Sequence, residues 1–124
     1  MKILILVVVM VLFFDSAYGQ EYGAATNATE RKVLKLINAL PEVQQANQYR
    51  KTHKIPGLLK ALIQDTPTKE HNYYRVSISE NLGFQLRTYE WYEVDAKTFV
   101  IRYWDIAEDK TMSLSEMRRR RKSH

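Results

Sequence analysis

The chain has 124 residues, no cysteine and a formal net charge of +5. That length accommodates one domain rather than two, and the missing cysteine excludes thiol catalysis, disulfide staples and thiolate metal sites. Five of the 19 basic residues form the run Arg118 to Lys122, which leaves 14 basic against 14 acidic residues elsewhere and excludes a generally cationic domain.

Met1-Lys2, the apolar run Ile3 to Phe14 and the small-residue site Ala17-Tyr18-Gly19 have the layout of a secretory signal, with cleavage expected after Gly19. The twelve-residue run reaches about 18 Å as a helix, short of a hydrocarbon core of about 30 Å. The expected location is therefore periplasmic or secreted, and a cysteine-free exported domain suits a bacterial route. The expected organisation is a signal at 1–19, a flexible leader at 20–27, one domain at 28–117 and a basic, solvated tail at 118–124.

Asn27 and Glu30 have capping-box spacing. Val33, Leu34, Ile37 and Leu40 follow at helical intervals, with Arg31, Lys32 and Lys35 left for solvent, which predicts a helix over 28–39 ended by Pro41. The triplet Asn27-Ala28-Thr29 also matches a glycosylation acceptor but reads as this helix start. Val43, Ala46, Arg50 and His53 predict a second helix over 42–53. Residues 57–65 fit either helix or strand, and strand is favoured.

From Tyr73 the period changes to two. Tyr74, Val76 and Ile78 alternate with Arg75, Ser77 and Ser79, and Glu80-Asn81-Leu82-Gly83 reads as a hairpin turn. Leu86, Thr88, Tyr92 and Val94 continue the inward face. A turn at Asp95-Ala96-Lys97-Thr98 leads to Phe99, Ile101 and Tyr103. The expected fold is α+β, with one or two N-terminal helices on one face of a three- to four-stranded antiparallel meander.

The run Val94-Asp95-Ala96-Lys97-Thr98, followed by Ile101, resembles the second hairpin of PepSY-like domains, which are small exported α+β modules. Some of those are linked to peptidase inhibition. Phe99 departs from the pattern, since that hairpin commonly carries glycine there. Pro67-Thr68-Lys69, Tyr73-Tyr74, Glu80-Asn81, Gly83 and Tyr103-Trp104-Asp105 resemble a group of small exported bacterial proteins over much of 30–118. A cystatin-like helix-on-sheet fold has a similar pattern. The resemblance implies a fold and an address and transfers no catalytic residue.

No Gly-x-Ser-x-Gly elbow, phosphate-cradling glycine loop or His-Glu-x-x-His occurs. His53 and His71 would need Asp65 or Glu70 to bind a metal, and their spacing does not require it. No cofactor, metal site or catalytic set is expected. Glu90 is the one candidate acid–base group. With Leu86, Thr88 and Tyr92 it is expected to face the helices, where burial raises a carboxylate pKa. A one-residue slip would place it outside.

Alternation puts Tyr73 and Arg75 beside Arg87, Tyr89 and Trp91, and then Arg102 and Trp104, on the opposite face. Arginine, tyrosine and tryptophan dominate binding hot spots, so Arg75, Arg87, Tyr89, Trp91, Arg102 and Trp104 form the candidate binding surface. The same residues could equally stack on one another without a partner. The expected function is a non-enzymatic interaction module for a protein or acidic ligand outside the cytoplasm. A Glu90–Tyr92 enzyme and a polyanion or membrane-surface binder acting through the tail are the alternatives. Nucleic acid is disfavoured by export and a near-neutral domain.

Overall fold

The computed structural model describes residues 23–123, so the expected export signal lies outside the described residues. Helix α1 (Ala28–Asn38) and helix α2 (Pro41–Thr52) lead into β1 (Lys60–Asp65), β2 (Tyr73–Asn81), β3 (Leu86–Asp95), β4 (Ile101–Asp105) and β5 (Lys110–Ser113), followed by α3 (Leu114–Lys122). All strand pairs are antiparallel, in the order β1-β2-β3-β4-β5. The α+β class is as expected, but five strands replace three or four.

Local chemistry sets the first helix. The Glu30 N–H donates to Asn27 Oδ1 at 2.9 Å, and Glu30 Oε1 accepts from the Thr26 N–H at 2.9 Å. This is the expected capping box, with the carboxylate reaching one residue further back. Pro41 then begins α2, where its missing N–H is not needed. Val33 and Ile37 from α1 and Val43 from α2 pack on Val76, Ile78, Tyr92 and Val94 to form the core.

Two expected segments behave differently. The leader is tied down from Gly23 onward, because Gly23 O accepts from the Ile63 N–H at 2.8 Å. Residues 118–122, expected as a solvated tail, form the largely exposed end of α3, whose Met117 is fully buried. The Ser113 hydroxyl accepts from the Glu116 N–H and caps this helix. The first hairpin turn also shifts: Glu80 and Asn81 remain in β2, and the Leu82 N–H to Gln85 O bond closes the turn, with Gly83 at φ +88.

The outer edge of β1 is sealed by side chains. The Ala61 N–H donates to Asn38 Oδ1 at 3.0 Å. Asn47 accepts from the Leu59 N–H at 2.8 Å and donates back to Leu59 O at 3.1 Å. Together with Gly23, these bonds occupy backbone groups that an edge strand would otherwise present.

Arg50 of α2 forms a buried ion pair with Glu80 at the end of β2. Its guanidinium also donates to Gly57 O at 3.1 Å and Pro56 O at 2.9 Å, fixing the segment between α2 and β1. Removing one partner of such a pair strands a buried charge. Arg50→Met is therefore expected to cost about 3–5 kcal/mol in urea unfolding. The double variant Arg50→Met/Glu80→Leu should recover part of that loss; no recovery would show that the carbonyl contacts, not the unpaired charge, set the cost.

Lys54 follows α2 with φ +55, and the Ile55 N–H donates to Arg50 O at 2.8 Å, closing a helix C-terminal turn that favours glycine. Lys54→Gly should raise stability by about 0.5–1 kcal/mol, read from the urea midpoint. A lower midpoint would mean that the Lys54 side chain supports the turn.

Candidate functional site

Cross-strand pairing fixes which residues share a sheet face. The helix side carries Tyr74, Val76, Ile78 and Glu80 of β2, and the outer side carries Tyr73, Arg75, Ser77 and Ser79. β3 changes sides within its length. Ile78 pairs with Glu90, but the next residue, Ser79, pairs with Thr88, leaving Tyr89 as the extra residue of a β-bulge.

The bulge divides the six candidates. Arg75, Trp91, Arg102 and Trp104 share the outer face, as expected. Arg87 does not: it lies opposite Glu80 on the helix side, and its hydrogen bond with Tyr89 holds its pKa above the ordinary value. Leu86 and Thr88, expected inside, face outward. The period-two reading fails here because the bulge inserts one residue and reverses the facing of the strand before it.

On the outer face, the Arg75 guanidinium lies 4.0 Å above the Trp104 ring and 5.6 Å from that of Tyr73. Trp91 meets Trp104 edge-on at 5.5 Å. Arg75 also donates to the Tyr73 hydroxyl at 3.1 Å and pairs with Glu93 at 3.4 Å and Asp65 at 3.7 Å. The Trp104 indole N–H donates to Asp109 Oδ1 at 3.1 Å. Asp65, Glu93 and Asp109 were absent from the sequence-based site, although Glu93 shares the period of Trp91. Arg102 is exposed, and among the described residues no ion pair engages it.

A row of hydrogen bonds continues across this face. Gln64 donates to the Ser77 hydroxyl at 2.8 Å, Ser77 and Ser79 are joined at 3.0 Å, and Ser79 meets Thr88 at 3.0 Å. Both serines are buried.

No family model, curated protein or solved structure matches the chain.

Glu90 faces the helix side and accepts from Arg121 of α3 at 2.7 Å. The same guanidinium lies 5.3 Å from the Tyr103 ring. Tyr92 is fully buried, its hydroxyl has no hydrogen-bond partner among the described residues, and burial followed by the nearby Glu90 charge pushes its pKa up. That shift opposes ionisation of the Tyr92 hydroxyl. Glu90 and Arg121 are a docking pair for a helix.

Among the described residues no cluster of three or more metal-binding side chains occurs, and no helix is long and apolar enough to cross a membrane. His53, just past α2, stacks on Tyr49 at 3.9 Å, whereas His71 of the β1–β2 connection meets Tyr73 at 4.5 Å. Three cations of the basic run are paired: Arg118 with Glu42, Arg120 with Glu116 and Arg121 with Glu90.

The Arg118 hydrogen bond holds the Glu42 carboxyl below its ordinary 4.5. A depressed folded-state pKa adds stability that is full above the unfolded value and disappears as pH falls through the folded one. Glu42→Gln should therefore cost about 0.5–1 kcal/mol at neutral pH, allowing for the partial exposure of the pair. The gap between variant and parent should close on acidification from about pH 6 to pH 2. Urea unfolding at several pH values checks this, and a gap independent of pH would assign the loss to packing.

Proposed function

We propose that the chain is an exported, non-enzymatic binding module whose outer sheet face engages a protein or ligand carrying an acidic or planar group. The observation that carries this reading is the Arg75–Trp104–Trp91 cluster, which lies on the face opposite the three described helices. Large rigid aromatics and a pre-oriented guanidinium supply contact area at little conformational cost. Arg102 adds an exposed cation beside them. The PepSY-like resemblance of residues 94–101 supports a narrower proposal, that the partner is an exported peptidase.

The Glu90–Arg121 pair favours a structural role over acid–base chemistry for Glu90. Pairing within the basic run likewise weakens the reading as a membrane-surface or polyanion binder.

The chain's two tryptophans, Trp91 and Trp104, both belong to the cluster, so intrinsic fluorescence reports directly on the proposed contact. A partner captured from the extracytoplasmic fraction should shift or quench that emission. Arg102→Gln and Trp91→Ala should weaken capture by about tenfold or more, as expected of central contacts. Arg87→Ala, on the other face, should leave capture unchanged. Binding that is indifferent to Trp91 and Arg102, or that depends on Arg87, would place the contact elsewhere.

A further inference from the structure

The bulge at Tyr89 turns Leu86 outward at the β2–β3 hairpin end of the sheet. Leu62 of β1 faces the same side two strands away, since it pairs with Ser77. The segment after α2 brings Leu58 alongside, and the hairpin turn carries Phe84. Leu58 is 43% exposed, Leu86 40% and Phe84 83%, although a turn can be built from polar residues. With Leu62 beneath them, these side chains line a cavity of about 450 Å³. That lies within the roughly 300–1,000 Å³ of small-molecule sites, which combine apolar walls with a few placed polar groups.

The charge here is of one sign. Among the described residues, Lys60 is the one ionisable side chain lining the cavity, and no carboxylate pairs with it. Asn81 Oδ1 accepts from the Gly83 N–H at 2.8 Å, which leaves the amide NH2 as its donor. The Ser79 hydroxyl is engaged by Ser77 and Thr88. Gln85 also lines the cavity, so the site offers a single positive charge, two neighbouring carboxamides and an apolar wall. A neutral hydrocarbon would leave the ammonium unused, and a dianion would meet only one cation.

We propose that this pocket binds a monoanionic amphiphile, an aliphatic carboxylate whose head group meets Lys60 and Asn81 and whose chain lies against Leu58, Leu62, Phe84 and Leu86. The site is separate from the Arg75–Trp91–Trp104 cluster and does not rest on it.

Decanoate below its micelle concentration, titrated into the 15N-labelled full chain, tests the proposal, with decanol as the uncharged control. Saturable amide shifts are expected at Leu58, Leu62, Gln85 and Leu86, with little change in tryptophan emission. Lys60→Gln should weaken decanoate binding about tenfold, as loss of one charge-assisted hydrogen bond implies, and leave decanol binding unchanged. Phe84→Ser, at an exposed turn position, should weaken both ligands. Three results would overturn the proposal: no saturable shift, shifts centred on Trp91 and Trp104, or decanoate binding that is indifferent to Lys60→Gln.

Discussion

One extra residue in β3 decides what each side of the sheet can do. Because Tyr89 bulges opposite the Ile78–Ser79 step, Glu90, Tyr92 and Val94 continue on the helix side while Leu86 and Thr88 turn outward. Glu90 can then meet Arg121, and Thr88 can complete the hydroxyl row that begins at Gln64. Without the bulge, Arg87 would stand on the outer face and Leu86 would enter the interior, a full exchange of polar and apolar positions.

The helix side is closed from two directions. α1 arrives first in sequence and covers β1 and β2, with α2 packed against it and tied to the end of β2 by Arg50 and Glu80. α3 arrives last and covers β4 and β5, buried through Met117 and joined to the rest by Arg118–Glu42 and Arg121–Glu90. Its basic run thus serves as an internal clamp. The outer side carries the Arg75–Trp104 stack at one end and apolar side chains around Lys60 at the other.

Much of this was legible in the sequence where the signal is local. The Asn27–Glu30 cap and Pro41 marked α1 and the start of α2, and the change from helical to alternating period marked the sheet. β5 was missed because Lys110–Ser113 is short and its pairing comes from β4 rather than from its own residues. α3 was missed because five consecutive cations hide Leu114 and Met117, although Ser113 and Glu116 carry the same capping signal that identified α1. Of the candidate site, Arg75, Trp91, Arg102 and Trp104 were placed on one face correctly. Arg87 was not, since a bulge leaves no mark in hydrophobic alternation. Phe99, where the resembling hairpins carry glycine, takes φ +60, and its ring lies 3.9 Å from the Lys32 ammonium.

The bonds from Asn38, Asn47 and Gly23 to the margin of β1 bear on how copies of this chain meet one another. A strand recruits another by offering unsatisfied amides and carbonyls in a row, and here the amides of Leu59, Ala61 and Ile63 and the carbonyl of Leu59 are already spoken for. At the opposite margin β5 presents only four residues, beginning with Lys110. Crowded copies therefore find little template for fibre growth at either margin of the sheet.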